Sequence, residues 1–249
     1  MRRTKAKLHR SALITLRASA SDHPSLSLQQ HSVCARAHRS RHAQIVQRLL
    51  AWGAANYVQF PWRRSKTRFH ALVAEVMLQR TRAEQVSPVY EELCKRYPTA
   101  RAMAEADREA LSRLLQPLGL HWRVPLIHDL SATLARKRFF PKRSKDLRKL
   151  PGIGDYATSA YLSLHAGVRA AIIDSNVVRL YGRLFGFEVG PETRRRKWLI
   201  ELAEQMTPEQ HFKQYNYALL DFTRAICRPK PRCDQCPLRD LCAFGRGRT

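Results

Sequence analysis

Acidic residues are scarce in this chain. Twenty Asp and Glu stand against 45 Lys and Arg in 249 residues, leaving a formal charge of +25. An excess of this size points to a polyanionic partner, because neutralising phosphates releases their counterions. An anionic membrane is the competing partner, but a polybasic anchor is local, and the surplus here is spread along the chain. The first 42 residues hold nine basic residues and a single acid, Asp22, and the remainder is basic in its own right. Long apolar runs are also missing. Nothing approaches the roughly 20 residues that a bilayer-spanning helix needs, so no membrane partner is expected. The apolar piece at 12–16 is too short and interrupted for the core of an export signal. Strand-like alternation is sparse, residues 170–173 being the nearest approach, and no 20–50-residue repeat is found. An apolar share of 44 % excludes a wholly disordered chain.

What is present begins with a tail. Residues 1–42 are rich in Arg, Ser and His. They are expected to be a disordered extension that attracts nucleic acid, or to follow a translation start placed too early; an organellar transit peptide has a similar composition. The expected location is the cytoplasm, at the nucleoid if the cell is bacterial, with organellar or nuclear import by the tail as the other destination.

From Arg41 onward the pattern is helical. Phe69, Leu72, Val73, Val76 and Met77 recur at the spacing of one buried helix face. Ser87-Pro88 predicts a helix capped by Ser87, with Pro at its first position, running to about Tyr97. Asp107 can cap the next, whose Leu111, Leu114 and Leu115 face inward. Leu126, Ile127, Leu130 and Leu134 mark another. Further helices are expected near 192–206 and 209–227, giving an all-α protein.

Six cysteines are present, four of them together in the pattern C-x5-C-x2-C-x5-C: Cys227, Cys233, Cys236 and Cys242. With no export signal, disulfides are a poor account of four thiols so close. A metal is the better one, and four thiolates suit structural zinc or an iron–sulfur cluster alike. Cys34 and Cys94 stand outside the pattern, as a tail residue and a helix packing residue.

Leu147 and Leu150 predict a short helix capped by Ser144 that stops at Pro151-Gly152-Ile153-Gly154, and a second helix spans about 155–165. Glycines one residue apart let the turn approach a surface closely, with backbone N–H groups and a helix N-terminus aimed at an anion. An ordinary αα-turn is the plainer alternative. Asp174 follows the apolar run at 172–173 and stands just before a helix. It could be an N-cap, or a carboxylate that stabilises positive charge on a sugar ring or activates a water; the roles are compatible. Glu75 and Gln79 are four apart, on a face set off from the Leu72, Val73 and Val76 stripe. As a plain reading they are a solvated pair.

Phe60-Pro61-Trp62-Arg63, Glu75 to Thr81, the hairpin, Asp174 with Asn176 and Arg179, and the four cysteines follow in that order. Together they resemble the helix-hairpin-helix DNA glycosylases of the endonuclease III and MutY superfamily, iron–sulfur branch. The resemblance runs from about Trp52 to Cys242. It implies a six-helix barrel over 66–168 containing the helix-hairpin-helix, beside a cluster domain built from 43–65 and 169–249, with duplex DNA carrying a mismatched or damaged base held by a monomer. It further implies a 4Fe–4S cluster on Cys227, Cys233, Cys236 and Cys242, although the family's usual first gap is six residues and five are present here.

The same resemblance implies roles. Asp174 would stabilise the sugar cation, Glu75 would contact the flipped base or act as acid, and Tyr156 would line the base pocket. Gln79 would fill the emptied stack. Gly152, Ile153 and Gly154 would hold a phosphate, with Lys149, His121 and Arg80 on the DNA. Lyase members carry a lysine two residues after the second hairpin glycine, where this chain has Tyr156. The expected enzyme is therefore a monofunctional glycosylase of base excision repair. Thymine or uracil opposite guanine is the expected substrate. The 119–123 stretch Gly-Leu-His-Trp-Arg resembles the thymine branch, whereas adenine members usually have Gly-Tyr-Tyr there, and the chain stops seven residues after Cys242. An adenine glycosylase acting opposite oxidised guanine or guanine is the near alternative, and a non-catalytic DNA-binding protein the distant one. Asp221 is read as a buried helix–helix residue, and His165 and His211 as isolated.

Overall fold

Helix follows helix along the chain, and no strand occurs among the described residues. The structure, a computed structural model, describes residues 28–247 apart from Leu120, with side-chain surroundings from residue 40 onward. Twelve α-helices are found among them: α1 (Leu28–Ala55), α2 (Arg68–Met77), α3 (Ala83–Arg96), α4 (Ala100–Ala104), α5 (Arg108–Leu115) and α6 (Val124–Ala135). After these come α7 (Ser144–Leu147), α8 (Asp155–His165), α9 (Ser175–Phe185), α10 (Lys197–Met206), α11 (Phe212–Ala225) and α12 (Ala243–Arg246). Residues 39–249 form one compact unit, and of the preceding unit only the helical backbone of 28–38 is described. Helix α1 thus begins inside the stretch expected to be a disordered tail, while residues 1–27 and the side chain of Cys34 lie outside the described part.

The apolar side chains gather into two large clusters and a small one. The first draws on residues from Phe60 to Leu162 and includes Leu72, Val73 and Met77 of α2 with Ile127 and Leu130 of α6. The second joins Ile45 and Leu49 of α1 to Val177–Leu184, Tyr215, Phe222 and the buried Cys227 and Cys242. The third, Ala160, Leu164, Ile172 and Tyr217 with Tyr156 against them, combines α8 with α11 and the loop before α9.

Local chemistry explains four of the helix starts. Thr67, Thr99, Asp107 and Asp174 each accept a bond from a first-turn N–H of α2, α4, α5 and α9, replacing a partner that the helix itself cannot supply. Two expected starts are corrected. Helix α3 opens at Ala83 rather than at Ser87, carrying Pro88 inside it; the buried face of Val86, Val89, Tyr90 and Leu93 outweighs one missing N–H bond. Ser144 is the first residue of α7 and not its cap, which is Arg143 without a side-chain bond.

Helix α2 is the central element. Every residue from Phe69 to Met77 is buried, wider than the single stripe that the spacing predicts. The helix stops at Met77, so Glu75 and Gln79 do not share a polar face. Glu75 goes inward with the core, and Gln79 lies in the turn beyond the helix.

Candidate active site

Helices α2 and α8 pack together, which brings Glu75 to the hairpin helix. Glu75 is 1 % exposed, and a carboxylate this deep needs a hydrogen-bonding partner. It finds one in His165, whose Nε2 lies 3.1 Å from Glu75 Oε1. His165 is therefore not isolated. The partnership could not be seen in the sequence, because the residues are 90 apart and only the packing of α2 on α8 joins them.

Tyr156, in the first turn of α8, connects Glu75 to Asp174. Burial pushes its phenol well above the ordinary value, and the negative charges of Glu75 and then Asp174 add to the effect. Both carboxylates thus act on one ring. Tyr217, on α11, is buried with its hydroxyl unpaired among the described residues; its phenol is raised first by burial and then by Glu75. Sequence reasoning missed Tyr217, which its neighbours Asn216 and Ala218 make look like an ordinary core residue.

Asp174 is the N-cap of α9. Its Oδ1 accepts from Val177 N at 2.7 Å, and its Oδ2 accepts from Asn176 Nδ2 at 2.9 Å. Asn176 Oδ1 in turn accepts from Arg179 Nη1 at 2.8 Å, and Arg179 donates to the carbonyls of Thr223 and Cys227. Each Asp174 oxygen keeps a further lone pair for a substrate.

Gln79 reaches the hairpin. Its Nε2 donates to the carbonyl of Gly152 at 3.2 Å. The turn around it is held by the buried guanidinium of Arg123, which donates to the carbonyls of Val76 and Gln79. Arg80 beside it is exposed and adopts φ 57°, the left-handed region that non-glycine residues seldom enter.

Within the hairpin, Gly152 has φ +75°, while Gly154 is the uncapped N-cap of α8 with open space where a Cβ would stand. The phosphate role expected of Ile153 is narrowed. Its side chain is in the core and its N–H is bonded to Leu150 O at 3.2 Å, which leaves Gly154 and the first turn of α8 as the outward donors. Lys149 and His121 are exposed, Lys149 in the turn after α7 and His121 in a short 3-10 turn. Asp221 is buried as expected, in an ion pair with Arg63 at 2.8 Å rather than near the Tyr156 ring. His211 is exposed at the start of α11.

Residues 73–215 match the model of the HhH-GPD superfamily base excision DNA repair proteins. The chain belongs to this superfamily. A thymine/uracil-DNA glycosylase of Pyrobaculum aerophilum is 36 % identical over 195 residues, covering 74 % of this chain and 84 % of that protein. An adenine DNA glycosylase of Buchnera aphidicola subsp. Baizongia pistaciae is 30 % identical over 185 residues, covering 73 % of this chain and 52 % of its own length. Among solved structures, a thermostable thymine-DNA glycosylase superposes with a TM-score of 0.79 at 27 % identity, over 85 % of this chain and 99 % of that one.

This HhH-GPD chain also has a hollow at its cysteine segment. Cys227, Cys233, Cys236 and Cys242 all line it, together with Leu180, Arg183 and Leu238. Among the described residues no three Cys, His, Asp or Glu side chains meet as a site for a single metal ion. Burial pushes the Cys236 thiol up to about 11 and raises Cys227 as well; a bound cation would offset that cost. Arg183 Nη1 donates to Cys227 Sγ at 3.5 Å. From α1, Arg41 grips the carbonyls of Leu184 and Leu241, and Arg48 that of Pro237. The N-terminal helix thereby fastens the cysteine segment.

Proposed function

We propose that this DNA glycosylase hydrolyses the glycosidic bond of thymine or uracil opposite guanine in duplex DNA, acting as a monomer and leaving the strand uncut. The arrangement that carries the chemistry is the buried Glu75 of α2, held by His165 of α8, together with Asp174, oriented by Val177 and Asn176 at the start of α9. A base turned out of the stack would lie against Tyr156 with Glu75 at its polar edge. The sugar would then face Asp174, whose negative charge stabilises an oxocarbenium-like transition state. Tyr156 retains its phenolic proton and offers no amine, so no Schiff base with the sugar is formed at that position. Gln79, placed beside the hairpin, would enter the gap in the stack. Gly154 and the first turn of α8 would bind a phosphate, with Lys149, Arg80 and His121 on neighbouring parts of the backbone.

The choice of pyrimidine is supported by the similarity to the Pyrobaculum protein over most of both chains and by the Gly119 to Arg123 stretch. Incubation with duplexes carrying G:T, G:U and oxidised-G:A pairs, resolved with and without alkali, tests both parts. Release at G:T and G:U with breaks only after alkali is expected. Cutting confined to oxidised-G:A would overturn the substrate, and breaks without alkali would overturn the monofunctional reading.

For the hollow at the cysteine segment we propose a 4Fe–4S cluster held by Cys227, Cys233, Cys236 and Cys242. When bound, it would cross-link a segment whose regular structure is limited to short turns at Cys233–Gln235 and Arg239–Leu241 and to α12.

A further inference from the structure

His165 is the last residue of α8, and the residues after it, Ala166, Gly167 and Val168, are exposed. Its side chain nevertheless turns inward. The imidazole and the Glu75 carboxyl are 6 % and 2 % exposed and meet at 3.1 Å. The histidine end of this pair stands where the chain returns to water. Imidazole is the side chain whose proton exchange ordinarily falls nearest neutral pH.

The other ionisable groups around the pair come from several elements. Tyr156 faces Glu75 from α8, Tyr217 from α11 and Tyr90 from α3, each phenol being raised first by burial and further by the Glu75 charge. Asp174 acts on Tyr156 from the loop before α9. Arg63 and Asp221 act on Tyr217. Tyr161 stacks on the His165 ring with centroids 6.2 Å apart; its phenol is pushed up to about 12 by burial, with Arg68 acting in the opposite direction. All four phenols keep their protons through the neutral range. His165 is the side chain within hydrogen-bonding distance of Glu75.

We propose that His165 is a positioning residue for Glu75 and its proton relay. As the Glu75 O–H bond breaks and its proton passes to the departing base, the Nε2–H bond of the His165 imidazolium breaks and a new O–H bond forms at the Glu75 oxygen that it faces. The imidazole regains a proton from solvent at the end of α8, offset by the proton that the attacking water releases on bonding to the sugar, so the net reaction consumes water alone. The relay rests on the reading of Glu75 as the acid that meets the base.

Single-turnover base release across pH tests this in wild type, Glu75→Gln, His165→Gln, His165→Asn and the Glu75→Gln/His165→Gln double variant. Affinity for a duplex carrying an abasic site reports the folded state of each. Glutamine can keep a hydrogen bond to Glu75 but carries no proton to relay. The expected result is a loss of about tenfold or more at neutral pH in His165→Gln, with the alkaline limb of its profile moved to lower pH and abasic-site affinity retained. His165→Asn, which cannot span the gap, should lose as much or more. The double variant should match Glu75→Gln. A His165→Gln profile superimposable on wild type, while Glu75→Gln is impaired, overturns the relay alone. So does a further tenfold loss in the double variant, which marks a purely structural part for His165. An unimpaired Glu75→Gln overturns the reading of Glu75 itself.

Discussion

Asn176 holds the Asp174 carboxylate through its Nδ2, which donates to Oδ2 at 2.9 Å, while its own Oδ1 accepts from Arg179 Nη1 at 2.8 Å. Arg179 is bonded to the carbonyl of Cys227, which lines the cysteine hollow. The carboxylate proposed to face the sugar is thus oriented by a chain that ends at the cysteine segment. Its other oxygen is committed to the N-terminus of α9.

This geometry separates catalysis from folding. Asn176→Ala removes one hydrogen bond to a charged group, worth about 1.5–3 kcal/mol, which corresponds to a loss of roughly ten- to a hundredfold in single-turnover base release. The melting temperature should fall by no more than roughly ten degrees, because the cap from Asp174 to Val177 survives. Asp174→Asn also keeps a good capping side chain but removes the charge. Its rate should fall by roughly 10²–10³-fold or more while affinity for mismatched duplex remains. A rate loss matched by a collapse in melting temperature would mean that the cap is the whole role of Asp174.

Most of the helices and the hairpin were legible because their signals are local. Asp107 and Asp174 cap where their positions imply, and α8 spans the residues expected of it. The site was legible through its motif order and not through its contacts. Glu75 illustrates the limit: at four residues from Gln79 it reads as part of an exposed pair, yet α2 ends at Met77 and the carboxylate is enclosed by α8. His165 and Tyr217 carry no local signal, since their meaning depends on which helices pack together. Pro88 misled for a related reason. It is a sound helix start by local chemistry, overruled by the burial of Val86 two residues earlier.

The two hairpin glycines should behave differently. Gly152 has φ +75°, and a Cβ there would lie 3.5 Å from Leu126 Cβ. Gly152→Ala should therefore cost about 1–2 kcal/mol of stability through its left-handed backbone, read as a lower denaturant midpoint. Gly154 has φ −92°, and nothing lies within 4 Å of the place its Cβ would take. Gly154→Ala should leave the midpoint unchanged and weaken binding to duplex DNA, because the methyl occupies space that a phosphate would approach. Equal DNA affinity in Gly154→Ala and wild type would remove the hairpin from the DNA surface.

Arg63 and Asp221 form a buried pair, each side chain 4 % exposed, with two bonds of 2.8 Å between the 61–64 turn and α11. Asp221→Asn leaves a guanidinium uncompensated among Tyr57, Phe60 and Tyr217. Breaking one side of such a pair costs about 3–5 kcal/mol, which urea titration would report as a large drop in midpoint. Replacing both partners, as in Arg63→Met with Asp221→Leu, should recover part of the loss, because no buried charge is then stranded. A double variant less stable than Asp221→Asn would show that the ring contacts of Arg63 matter more than its ion pair.

The cysteine hollow gives the sharpest chemical test. If the four thiols hold a 4Fe–4S cluster, protein purified without oxygen should contain iron and acid-labile sulfide in equal amounts, and little zinc. Zinc without sulfide would overturn the cluster and favour a structural ion. Cys236→Ser should lower the iron content and the unfolding midpoint together, since Arg41 and Arg48 anchor α1 to the carbonyls of this same segment. Loss of the cluster should also reach the active site. Arg179 would lose its fixed acceptor at Cys227, Asn176 would be less firmly held, and base release should fall even at saturating enzyme. If apo-protein is stable and releases base at the rate of the loaded form, the chain from Cys227 to Asp174 is structural decoration, and the orientation of Asp174 rests on its bond to Val177 alone.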